Sequence, residues 1–152
     1  MSTYKDIWFQ CETIIHSQVT LKEKMQAICN FLGSQTPAYD WVGFYLSDVK
    51  NKKLHLGPFY GEPTEHTSIS YGKGVCGQAA EAQKTFVIDD VAEEKNYIAC
   101  SIHVKSEIVV PIIKNQIVVG QIDIDSHTPA AFKKDDQQLL EKICRELVIY
   151  IE

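Results

Sequence analysis

The chain reads as an α+β protein, an antiparallel sheet whose terminal helices pack on one face. Three observations lead there. Apolar residues recur at helical spacing near both ends, the stretch between them breaks into short β-rich runs, and glycine, proline and lysine–asparagine turns separate those runs. At 152 residues the chain fits one domain over 1–152, and burying roughly 68–70% of its unfolded surface makes a real core.

A first helix is expected around Ile7, Cys11, Ile14 and Ile15. The second opens on a capping box of Thr20 and Glu23. It carries Leu21, Met25, Ile28, Cys29 and Leu32 on one face, and Gly33 is expected as its C-cap. WVGFYL (41–46) and LHLGPF (54–59) form a hairpin through the polar turn KNKK (50–53), and Gly57, Pro58 and Gly61 break its second strand. The glycine-rich turn GKGVCG (72–77) then opens a short helix through Ala79, Ala80 and Ala82.

TFVID (85–89) is a short strand, and EIVVPII (107–113) joins IVVGQIDID (117–125) through the tight turn Lys114-Asn115-Gln116. Pro111 inside an apolar strand calls for an edge position or a bulge. A last helix carries Leu140, Ile143, Cys144, Leu147 and Ile151.

The formal charge of −5 argues against nonspecific binding to nucleic acid, which needs a basic face. The N-terminus lacks the apolar segment of a signal peptide, and no run approaches the ~18 apolar residues of a membrane span. A cytoplasmic protein is expected. Its five cysteines are an odd number, a poor match to a secreted disulfide framework. Cys11, Cys29 and Cys144 fall on apolar helical stripes and read as core.

The chemistry gathers between Gly72 and Asp125, where Cys76, Cys100, Glu107, Asp123 and Asp125 stand beside turns or at strand ends. GKGVCG matches G-x-G-x-x-G but follows no buried parallel strand, so a dinucleotide site is rejected. Cys76 reads either as a thiolate stabilised at a helix N-terminus or as a small residue packed under a tight turn. Cys100, with His103 three residues on, is either half of a Cys-x-x-His metal pair or a loop nucleophile; zinc needs four ligands, so no metal is assigned. Gln121, Asp123 and Asp125 share one strand face. Either that face is solvated, or the like charges surround a cation, supplied by Lys105 or by a ligand's ammonium group.

Together, WVGFYL, LGPF (56–59), GKGVCG, Asp90-Val91, IAC (98–100), SEIVVP (106–111) and GQIDIDS (120–126), in this order, resemble the free methionine-(R)-sulfoxide reductases, which are single-domain GAF proteins. The resemblance implies a GAF fold, a central antiparallel sheet with the N- and C-terminal helices on one face. It implies reduction of free L-methionine (R)-sulfoxide, and with it a place in oxidative stress.

Cys100 matches the family's nucleophile and Cys76 its second pocket cysteine. Glu107, Asp123 and Asp125 match the acids of the site, and Trp41 and Tyr45 match aromatics that enclose the substrate methyl. A thiolate attacks the sulfoxide sulfur, and the oxygen must gain protons before it leaves as water. A clustered carboxyl with a raised pKa, such as Glu107, supplies them. The sulfenic acid then condenses with a second thiol. No bound cofactor is implied. The reductant is an external thiol of thioredoxin or glutathione type, and apolar terminal helices are compatible with a homodimer.

The chain departs from that family in one respect that matters. The main resolving cysteine, expected about ten residues before Cys76, is missing from EPTEHT (62–67), and His66 falls at or next to its place. A solvated loop histidine is the plainer reading of His66. Ser101 stands where an acid is common and Tyr97 where a histidine is. Either Cys76 resolves, or an external thiol resolves, or the domain has become a noncatalytic small-molecule-binding or sensor domain. A reductase is the expectation, because a sensor has no need of nucleophile, second thiol and acids together, and 152 residues leave no room for an output domain. A structural dimerisation module leaves the acids unexplained.

Overall fold

The computed structural model describes residues 3–97 and 102–152. Cys100 and Ser101 lie outside the described residues. Helix α1 (Tyr4–Ile15) is capped by Thr3, whose hydroxyl accepts from the Asp6 N–H while the Asp6 carboxylate accepts from the Thr3 N–H. In α2 (Leu21–Gln35) the Thr20 hydroxyl accepts from the Glu23 N–H at 3.2 Å. Gly33 does not end this helix. A Cβ there would stand 2.1 Å from the Tyr60 ring, so glycine serves close packing of a strand aromatic, and the helix runs on to Gln35.

The remaining elements are β1 (Trp41–Asp48), β2 (Lys53–Tyr60), β3 (Ser68–Ser70), α3 (Gly74–Ala82), β4 (Phe86–Ile88), β5 (Ser106–Lys114), β6 (Ile117–Ser126) and α4 (Lys134–Leu147). The sheet has six strands in the order β3-β2-β1-β6-β5-β4, with every neighbouring pair antiparallel. Asn115 and Gln116 both take positive φ in the two-residue turn between β5 and β6, the type I′ geometry that matches strand twist. β4 pairs with β5 only from Glu107 to Val109, so Pro111 stands just past its end and one residue before the irregularity at Ile112/Ile113. β3 was not expected; Ile69 is its single apolar residue, and it exists by pairing with β2.

Strand parity divides the sheet into two unlike faces. Val42, Phe44, Ile108, Val110, Ile112, Ile122 and Ile124 pack against α1, α2 and α4 in the larger core. The terminal helices therefore share one face, as the periodicity predicts. Cys11, Cys29 and Cys144 are buried within that core. Burial pushes the Cys11 thiol up to about 12, and Cys29 and Cys144 rise as well, so all three are inert. Among the described residues, no helix is long and apolar enough to cross a membrane.

The opposite face carries Trp41, Tyr45 and Val109, and α3 packs on it through Val75, Cys76, Ala79 and Ala80, with Tyr71 and Tyr97 beside them. The turn leading into α3 needs its glycines: Gly72 has φ +85° and Gly74 +61°. Gly77 lets α3 dock, because a Cβ there would lie 2.5 Å from the Ser70 carbonyl oxygen. Helix propensity alone says that Gly77→Ala gains about 1 kcal/mol. The backbone contact outweighs that gain, so Gly77→Ala is expected to destabilise the protein by about 1–3 kcal/mol. Urea denaturation measures the sign directly.

Candidate active site

The strand register builds the site in rows across the face that α3 covers. Trp41 on β1 stands opposite Asp125 on β6, and Asp125 opposite Glu107 on β5. In the next row Gly43 faces Asp123 and Asp123 faces Val109; in the third, Tyr45, Gln121 and Pro111 align. Residues directly opposite on one face have Cβ atoms about 4.5–5.5 Å apart. The pairing thus forces the carboxyls of Glu107, Asp123 and Asp125 together. Gly43 keeps the middle row low, since a Cβ there would meet the Trp41 ring at 2.2 Å.

Helix α3 lays Cys76 over these acids. The Cys76 sulfur and one oxygen each from Glu107 and Asp123 all lie within 4.8 Å of one another. None of the acids is solvated: Glu107 is 5% exposed, Asp123 and Asp125 are 1% each. Among the described residues, Asp123 Oδ1 and both polar atoms of the Gln121 amide are buried without a hydrogen-bond partner, and the Asp125 oxygens have the Glu107 carboxyl beside them. The exposed-face reading of β6 is therefore wrong, and Lys105 does not supply the cation. Its side chain is exposed, and among the described residues no lysine or arginine forms an ion pair with these acids.

Burial is the first cause of their altered acidity. It pushes Glu107 and Asp125 well above the usual carboxylate range, and repulsion from Asp123 adds to both. Asp123 rises less, because Glu107 and Cys76 direct hydrogen bonds at it. Glu107 is thus a held acid and Asp123 the acceptor beside it. Cys76 is also raised well above its ordinary value, by burial first and then by Asp123, Glu107 and Asp125. The helix N-terminus does not win. Cys76 rests as a neutral thiol.

Trp41 and Tyr45 stand on the same face as the acids. Trp41 stacks on Phe59 at 5.7 Å and donates its Nε1–H to the Glu62 carbonyl, while the buried Tyr45 hydroxyl donates to the His66 carbonyl at 3.1 Å. His66 is half-buried, not a solvated loop residue. It lines, with Tyr45, Lys73, Cys76, Glu107 and Asp123, a cavity of only about 10 Å³. On the other side of the acids, Asp125 and Trp41 border a cleft of about 480 Å³ with Asp40, Glu62, Val104 and His127.

Sequence reasoning missed Gln121 as a site residue, though strand parity already put it on the acids' face. It also missed the pairing of Asp40 with His127, whose backbone N–H donates to the Asp40 carboxylate at 2.7 Å. No local signal marks that contact, because the β1–β6 pairing creates it. Cys100 lies outside the described residues, so its place relative to the acids is not described.

A curled six-stranded antiparallel sheet with four helices is the α+β architecture of GAF domains. A GAF domain model matches residues 18–152, and the chain belongs to the GAF domain family. It is 42% identical over 108 residues to a free methionine-R-sulfoxide reductase from Saccharomyces cerevisiae, covering 70% of this chain and 59% of that protein. It is 43% identical over 107 residues to GAF domain-containing protein A of Dictyostelium discoideum, covering 70% of this chain and 66% of that one. The chain thus spans less than two thirds of the length of these two relatives. Among solved structures, the free methionine-R-sulfoxide reductase of Neisseria meningitidis in complex with its substrate superposes with a TM-score of 0.91 at 33% identity, covering 97% of this chain and 87% of that one.

The acid cluster has a thermodynamic signature. A carboxyl raised on folding contributes stability that is complete below its unfolded value, 4.5 for Glu107, and is lost as pH rises through the folded value. Glu107→Gln keeps a donor toward the two aspartates and removes the ionisation. At pH 8 the variant is expected to be more stable than the parent by about 1–3 kcal/mol, and at pH 4 nearly equal to it. Thermal melts across that range check both.

Proposed function

We propose that this protein, working as a single GAF domain over 1–152, reduces free L-methionine (R)-sulfoxide to methionine through a cysteine sulfenic acid. The observation that carries the reading is the buried trio Glu107, Asp123 and Asp125 beside the Cys76 thiol. The likeness to reductases, one of them holding its substrate, supports it. A sensor domain has no use for a carboxyl held protonated against a thiol.

In this reading Cys100 attacks the sulfoxide sulfur while Glu107 protonates the oxygen. Methionine departs and the oxygen passes to the cysteine as a sulfenic acid. Condensation with a second thiol forms a disulfide and releases the oxygen as water, and two electrons from an external thiol close the cycle. Asp123 and Asp125 attract the substrate ammonium, whose charge offsets theirs. Trp41 and Tyr45 enclose the methyl group. The cavity of about 10 Å³ is too small for the amino acid, so binding must part α3 from the segment around His66. The reductant is of thioredoxin or glutathione type, in a reducing cytoplasm.

Racemic free methionine sulfoxide, followed by NMR with dithiothreitol, tests the activity. The R epimer alone is expected to disappear, and Cys100→Ser is expected to abolish turnover. No consumption of either epimer at high protein concentration favours a noncatalytic binding domain instead.

The resolving step has its own test. One equivalent of substrate without reductant is expected to leave a Cys76–Cys100 disulfide, or a Cys100 sulfenic acid that a dimedone probe traps. Peptide mapping by mass spectrometry separates the two, and finding neither removes Cys100 from the role of nucleophile.

A further inference from the structure

The small cavity beside Cys76 fits something smaller than an amino acid. We propose that it binds a single thiophilic divalent cation, Zn²⁺ or its larger congener Cd²⁺, through the Cys76 sulfur and carboxylate oxygens of Glu107 and Asp123. These three atoms lie within 4.8 Å of one another. A tetrahedral zinc with Zn–S about 2.3 Å and Zn–O about 2.0–2.2 Å, its fourth position taken by a solvent molecule, holds its ligand atoms roughly 3.3–3.7 Å apart, so side-chain rotations of about 1 Å close the site.

Two further observations are independent of that clustering. The cavity volume of about 10 Å³ is near that of one water-sized sphere. Asp123, at 1% exposure, lines this cavity, and among the described residues its Oδ1 is buried without a hydrogen-bond partner, so a lone pair beside the thiol is left for a ligand. The mixed sulfur–oxygen donor set selects zinc and cadmium over magnesium and calcium, which take oxygen ligands in larger number. Glu12, His16 and Glu146 form another trio of donors, but they are not enclosed and offer no sulfur.

The regulatory consequence rests on the reductase reading. A cation held here occupies Cys76, Glu107 and Asp123 at once, so it excludes the sulfoxide, and Zn²⁺ acts as a reversible inhibitor.

The test is a Cd²⁺ titration of the full chain carrying Cys100→Ser, followed by the thiolate-to-cadmium charge-transfer band in the ultraviolet. One equivalent per chain is expected. Cys76→Ser is expected to lose the band, and Zn²⁺ to displace it. Asp123→Asn is expected to keep it with affinity lowered by at least about 10-fold. Circular dichroism verifies that each variant is folded. A band that survives Cys76→Ser, no band in the parent, or unchanged affinity in Asp123→Asn overturns the proposal. The band requires no turnover, and activity is assayed separately on the unsubstituted chain. If that chain is inactive while the band appears, the reductase reading alone fails, and if it is active while no band appears, the metal site alone fails.

Discussion

Three carboxyl groups held side by side, almost without water, are the constraint around which the rest of this molecule is arranged. An isolated buried carboxylate costs several kcal/mol even after relaxation, and neighbours of like charge add to that cost. A protein relieves it by keeping protons on the acids or by bringing in positive charge. Here no lysine or arginine among the described residues forms an ion pair with them. The fold therefore holds protons in reserve at Glu107 and Asp125. Such a reserve is of use to a reaction that cleaves a sulfur–oxygen bond, and a ligand ammonium or a metal ion discharges the same strain.

The two faces of the sheet divide the work. α1, α2 and α4 bury one face in a continuous apolar core, and that core supplies the stability against which the acids are tolerated. On the other face the one helix among the described residues is α3, nine residues long and seated on glycine turns. Elements with few buried apolar contacts open at lower free energy than the core does.

Cys76 stands where these demands meet. Its sulfur is buried, neutral and directed at Asp123. A neutral thiol is a poor attacking group but suits a partner that waits for a sulfenic acid. The half-buried His66 borders the same cavity. Carbonyl acceptance from Tyr45 fixes the His66 backbone there. The chemistry of this face thus turns on one thiol and its acids.

Much of this was legible in the chain, and the rest was not, for definite reasons. The apolar stripes of α1, α2 and α4 follow from local periodicity, which needs no partner to be read. So do the turn at Asn115-Gln116, the core cysteines, and the shared face of Gln121, Asp123 and Asp125. Local sequence could not say whether that face met water. Solvation is decided by what packs against a strand, and Cys76 arrives over the acids from a helix about fifty residues earlier in the chain. The long-range pairing of β1 with β6 sets Trp41 opposite Asp125, a register no local pattern encodes. Gly33 carried the signal of a helix end and instead makes room for Tyr60. Ser68–Ser70 became a strand only because β2 offered an edge. Periodicity and turn chemistry act over a few residues, so the sequence by itself determined the elements and the chemical types. Burial, pKa and the meeting of acid with thiol depend on contacts across the sheet, and these only the tertiary structure decided.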